Sequence, residues 1–338
     1  MKSIIHIGTE KTATTTLQNF LFKNRATLME SHCYKPVSTG QKNDKALAIS
    51  AYDASRRDSF TKQLGITTND ELVAFQEDTR SKLIHEISNC DCHTVVFTSE
   101  HLQSRLRDEH DLLRLRQLLE DCGVSNFRIV VYLREPSATA NSMYSTAVKC
   151  GSTDTGPPHP AESQYFRNVC DHKSTIERFS AVFGAENIVP RIFEKQSLVG
   201  GSIERDFLDC LGIKDFAKYK PVQAANPGLS VEGIELLRRL NREIPYFTDE
   251  GVNPNRGNIA GLITRHFGES SYTMPAEVRR QYEEFFEASN EWVRRRYFPT
   301  RPRLFSAAKE QPRTQVGMTD HDFDRIAALI SDLWNSRN

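Results

Sequence analysis

The residues with the most to offer chemically stand near the start of the chain. Lys11 is followed by Thr12, Thr14, Thr15 and Thr16, one mobile ammonium and four hydroxyls close together. Before them a short apolar run, Ile4, Ile5 and Ile7, breaks at Gly8. After them Leu17, Phe20 and Leu21 fall at the i, i+3, i+4 spacing of a helix face. A strand, a polar loop with lysine and a helix N-terminus together make a place for an anion. The first N–H groups of a helix have no intrahelical acceptor, and the macrodipole adds positive potential there. Two more polar sets stand where apolar runs stop. Ser99-Glu100-His101 follows Thr94-Val-Val-Phe-Thr98, and Arg134-Glu135-Pro136 follows Phe127-Arg-Ile-Val-Val-Tyr-Leu133.

The elements that must carry these groups follow from the pattern. The runs Thr94–Thr98, Phe127–Leu133 and Asn187–Phe193 are β-branched and apolar enough for buried strands. Between them lie helices: one capped by Asn69 or Asp70 and running to about Ser88, one through Leu112–Leu119 closed at Cys122-Gly123, one from Ser137 to Lys149, and one from Asp171 to Phe183. Strands alternating with helices imply an α/β fold, a P-loop-like and mainly parallel sheet flanked by helices. No convincing strand follows Ser202; a helix begins at Ser230 and a longer one is expected from about Pro275 to Tyr297. The expected organisation is an α/β core over 1–225, a helical C-terminal part over 226–305, a linker over 306–319 and an amphipathic terminal helix over 320–338.

Bulk composition narrows the partners. The 338 residues are 38% hydrophobic and 26% charged, as in ordinary globular proteins, with lysine plus arginine equal to aspartate plus glutamate at 44 each. That balance argues for neither nucleic acid nor a membrane as partner, and no nucleic acid is expected. No apolar run approaches the ~18 residues of a membrane span, and no signal-peptide core is visible. Seven scattered cysteines, an odd number, favour reduced thiols and a cytoplasmic setting. Cys90-Asp91-Cys92 is too tight for the usual metal spacing, so no metal site is expected.

The lysine loop departs from the ATP-binding pattern G-x-x-x-x-G-K-[ST]: its lysine comes three residues early and the second glycine is missing. It fits another pattern. Lys11-Thr-Ala-Thr-Thr-Thr-Leu17 resembles the K-x-G-T-T-x-L loop of PAPS-dependent sulfotransferases, which grips the 5′-phosphosulfate of 3′-phosphoadenosine 5′-phosphosulfate. That family has a second signature, a strand-end arginine and a serine eight positions later, and Arg134 and Ser142 have this spacing with Pro136 between. The opening His-Ile-Gly-Thr-Glu-Lys, the strand-end Thr-Ser-Glu, Tyr144, Phe183-Gly-Ala-Glu-Asn187 and Asn226-Pro-Gly-Leu-Ser230 are similar to the bacterial carbohydrate-type branch.

The resemblance implies roles. Lys11 stabilises the bridging oxygen as charge builds on it, with Thr12, Ala13, Thr14, Thr15 and Thr16 around the phosphosulfate. Arg134 and Ser142 take the 3′-phosphate, leaving PAP as product. Glu100 takes the proton of the acceptor hydroxyl, with His101 as the alternate base, and the acceptor is a carbohydrate or glycolipid. Two positions differ from the family pattern: Ala13 replaces its usual glycine, and Glu10 puts a carboxylate beside an anion site and must point away or find a partner. Two other classes stay open, an ATP-dependent small-molecule kinase and a non-catalytic protein that binds PAP or another nucleotide.

Overall fold

The computed structural model describes residues 1–223, 228–249, 251–268, 272–307 and 320–335. Part of the expected linker, 308–319, and Asn226 and Pro227 of the Asn226–Ser230 motif lie outside the described residues. The chain divides into two compact units, each built from segments distant in sequence. The first holds Met1–Glu135, Gln164–Ala225 and Phe286–Phe305, and the second holds Pro136–Ser163, Asn226–Phe285 and Ser306–Asn338.

The first unit is an α/β layer structure around a parallel sheet of β1 (Lys2–His6), β2 (Cys33–Tyr34), β3 (Thr94–Thr98), β4 (Asn126–Leu133) and β5 (Ile188–Ile192), in the order β2-β3-β1-β4-β5. The fold class expected from sequence is therefore the observed one. Apolar residues alternate between the two faces. Ile5, Val95, Phe97, Ile129, Val131 and Leu133 enter one core, while Ile4, Val96, Val130 and Tyr132 enter the other with Leu17, Phe20 and Leu21. Both faces are covered, which is why these strands read as near-continuous apolar runs.

Strand order decides where a ligand can sit. The chain places β2 and β3 to one side of β1 and then crosses to β4 on the other. The connections after β1 and β3 thus part at the C-terminal end of β1, the switch point where open α/β sheets bind ligands. Register places His6 beside both Thr98 and Val130, so β1 and β3 end together while β4 runs on to Leu133.

Several elements differ from the expected ones. Thr68, not Asn69 or Asp70, caps the helix Asn69–Ser88: its hydroxyl accepts from Glu71 N and the Glu71 carboxylate takes Thr68 N, a reciprocal box. Sequence reading missed the two-residue strand β2. It also missed, in the second unit, the hairpin Phe247–Thr248 with Gly251–Val252, which is too short to show a period. The long helix expected from Pro275 to Tyr297 is two, Ala276–Phe285 and Glu287–Tyr297. The second unit is otherwise helical, its core made by Tyr144, Val148, Leu229, Ile234, Leu237, Ile263 and Phe267.

Candidate active site

Three strand ends of the first unit meet at the switch point. The connection after β1 carries Lys11, that after β3 carries Glu100 and His101, and that after β4 carries Arg134. The extra length of β4 holds the lysine loop. Ile7 N donates to Val130 O (3.0 Å), Thr9 N to Tyr132 O (3.0 Å), and Tyr132 N to Gly8 O (2.7 Å). The peptide Gly8–Thr9 is cis. Thr12 is buried, and its hydroxyl donates to Thr9 O at 2.6 Å, folding the loop back on itself.

The loop then enters helix α1 (Thr14–Lys23) through Ala13, which is left-handed at φ 57°; Lys11 also has positive φ, 65°. No side chain caps this N-terminus and its first turn has no acid. The first intrahelical bond is Leu17 N to Ala13 O, so the amides of Thr14 and Thr15 open the helix ahead of it. Glu10, the carboxylate that sequence placed beside an anion site, accepts a hydrogen bond from Tyr165 Oη at 2.7 Å. Burial and the nearby Glu10 charge push the Tyr165 phenol well above its ordinary range, so it stays a donor. Arg134 donates from Nη1 to Lys11 O, which ties the end of β4 to the lysine loop. Its guanidinium also lies over Phe193, 5.7 Å from the ring centre. His172, buried, pairs through Nε2 with Arg134 O at 2.9 Å and steadies that strand end.

Glu100 opens the helix α2 (Glu100–Arg105), whose N-cap Ser99 accepts from His101 N. Its backbone packs on the lysine loop: a Cβ on Gly8 would lie 3.1 Å from Glu100 Cα, so only glycine, at φ 104°, lets the two approach this closely. The carboxylate is fixed on one side. Oε2 accepts from Gln18 Nε2 at 2.7 Å and from Asn43 Nδ2 at 3.1 Å, while Oε1 lies 3.8 Å from His101 Nε2. His101 stands edge-on to Phe60 with ring centres 4.6 Å apart, and among the described residues its Nδ1 has no hydrogen-bond partner. Burial lowers its pKa more than the Glu100 and Glu10 charges raise it, so the imidazole is neutral at pH 7.

Comparison with known proteins adds little beyond this geometry. No protein-family model matches the chain. An uncharacterised protein of Archaeoglobus fulgidus is 26% identical over 208 residues, 60% of this chain and 53% of that protein, so the chain matches about half the relative's length. Among solved structures, the crystal structure of a sulfotransferase from Alicyclobacillus acidocaldarius covers 87% of this chain and 95% of its own, at 15% identity and a TM-score of 0.47. That similarity is too low to carry an argument about function, which has to come from the residues.

Of the residues singled out in the sequence, Lys11, Thr12, Ala13, Thr14, Thr15, Thr16, Glu100, His101 and Arg134 all belong to the first unit, on the three strand ends and the helices that follow them. Ser142 does not. It lies in the helix Pro136–Lys149 of the second unit, where its carbonyl accepts from Thr146 Oγ1. Sequence reading missed Gln18, Asn43 and Tyr165. Gln18 carried a signal, a polar residue beside the apolar positions of α1 that is only 4% exposed. Asn43 and Tyr165 carried none, because their contacts lie 57 and 155 residues away.

Proposed function

We propose that this chain is a PAPS-dependent sulfotransferase acting on a hydroxyl of a carbohydrate or glycolipid. The observation that supports this most is the hydrogen bond from Arg134 to Lys11 O. It joins the two groups that the motif resemblance assigns to opposite ends of one nucleotide, the phosphosulfate loop and the 3′-phosphate arginine. The donor set fits such an anion: a lysine, threonine hydroxyls, an uncapped helix N-terminus without acid in its first turn, and a Glu10 carboxylate engaged by Tyr165. Lys11 and Thr12 to Thr16, with Ala13 among them, would hold the 5′ end. Arg134 would hold the 3′-phosphate by its planar donor fork, and Ser142 is assigned there by its spacing alone.

Bound PAPS supplies a sulfuryl group on a phosphate leaving group. Glu100 would take the proton of the acceptor hydroxyl, and Lys11 would stabilise the charge that builds on the leaving phosphate oxygen. Direct in-line transfer needs no covalent enzyme intermediate. Glu100 is preferred to His101 as base because its carboxylate is already hydrogen-bonded in place against the lysine loop.

The test is transfer of labelled sulfate from PAPS to a glycan panel, after a titration with PAP. Turnover is expected, and Lys11→Ala should abolish it while the unfolding transition stays cooperative. Undiminished turnover in that variant would falsify the mechanism. Magnesium-dependent chemistry with ATP bound more tightly than PAP would make the chain a kinase. PAP binding without transfer to any acceptor would make it a nucleotide-binding protein.

A further inference from the structure

We infer that Gln18 and Asn43 are positioning residues for Glu100, holding Oε2 so that Oε1 is the oxygen that receives the acceptor proton. The inference rests on the sulfuryl-transfer reading above. Two neutral amides converge on one carboxylate oxygen from different elements, Gln18 from α1 and Asn43 from the segment before the helix Lys45–Ser50. The oxygen left over, Oε1, is 3.8 Å from His101 Nε2, beyond hydrogen-bond distance. The Asn43 amide has one sensible orientation, since reversing it would set Oδ1 against a carboxylate oxygen.

Each donor occupies a position that local packing alone does not favour. Gln18 is buried next to Leu17, and a buried amide there is costly unless it is bonded. Asn43 is fixed by its neighbour Asp44, whose carboxylate accepts from Lys35 Nζ (2.7 Å), Thr39 Oγ1 (2.5 Å) and Thr98 N (2.6 Å). The choice of amides is chemically apt. A lysine or arginine on Oε2 would fix Glu100 equally well, but its full charge would strongly oppose proton uptake. Amides orient the carboxylate without setting a full positive charge against it. Gln18 also puts this brace on the helix whose N-terminus faces the phosphosulfate loop, so base and leaving-group donors share one rigid element.

The experiment compares kcat, the pH–rate profile and PAP affinity in wild type, Gln18→Met and Asn43→Leu. Each variant should lose about 10- to 100-fold in kcat, the scale set by misplacing a reacting group by about an ångström. The acid limb of each profile should move to higher pH, because donors to a carboxylate favour its ionised form. PAP affinity should hold within about twofold, where a general loosening of α1 would weaken it. Adding either change to Glu100→Gln should leave the residual turnover of that variant unchanged. Wild-type kcat and pH profile in both variants would overturn the role, and so would equal losses with and without Glu100. Parallel loss of PAP affinity in both would overturn it too, by making the two residues structural. If Gln18→Met fails to fold, Asn43→Leu decides from the loop side. A wild-type protein inactive on every acceptor removes the sulfuryl-transfer reading itself, whereas an active wild type with unaffected variants removes this role alone.

Discussion

Ala13 is where residue-scale physics and the motif meet most sharply. It has a left-handed backbone, φ 57° and ψ 31°, at the position where the family loop has glycine. A Cβ in that region costs about 1–2 kcal/mol, while glycine costs about 0.5–1 kcal/mol in extra chain entropy. The first effect is the larger, so Ala13→Gly should raise the unfolding free energy by about 1 kcal/mol. A urea titration reads this directly; an unchanged or lower midpoint at constant slope would show that the local backbone carries no such strain. The motif made the sequence position legible, but the sign of φ could come only from the structure. Glu10 teaches the complementary lesson. A carboxylate beside an anion loop looked like a conflict, and the hydrogen bond from Tyr165 resolves it through a residue that no local pattern connects to the loop.

At the scale of elements, the segment between β2 and the helix Lys45–Ser50 matters most, because it brings Asn43 to Glu100. Its anchor is Lys35 with Asp44, a pair with no side-chain exposure at all. Burying two charges is costly, and removing one partner leaves the other stranded, at about 3–5 kcal/mol. Lys35→Met should therefore destabilise the protein by that amount in a denaturant titration, and Lys35→Met with Asp44→Leu should recover much of the loss. A single variant costing under about 1 kcal/mol would mean that the pair is not the anchor. Sequence periodicity gave strands β1, β3, β4 and β5 and the helix faces, because buried apolar residues repeat at fixed local spacing. No such local repeat marks the segment 36–44. Its order comes from Asp44 meeting Thr98, 54 residues further on, which no local window contains.

At the scale of the whole molecule, the part of the candidate site in the first unit was legible as residues but not as an arrangement. That β1 lies between β3 and β4 follows from crossover packing, and the interleaving of two units along the chain follows from contacts distant in sequence. Buried histidines give the molecule a further property. His6 is fully buried with Nδ1 against Thr98 Oγ1 at 2.8 Å, and His172 is 1% exposed. Among the described residues, Nδ1 of His172 has no hydrogen-bond partner. Burial lowers the His172 pKa from 6.5 to about 4, outweighing the bond to Arg134 O and the Asp171 charge, and it lowers that of His6 to about 3. Between pH 4 and 6.5 the unfolded chain therefore binds a proton at His172 that the folded chain refuses. Its contribution is full above pH 6.5 and declines as pH falls, by about 1.4 kcal/mol per pH unit and about 3 kcal/mol across the window. His172→Gln keeps an N–H for Arg134 O and removes the titration. Its unfolding free energy should fall less steeply with acid than that of the wild type, by one proton's worth of slope. Denaturant titrations from pH 4 to 7 measure the difference, and identical slopes would mean that His172 takes its proton while folded.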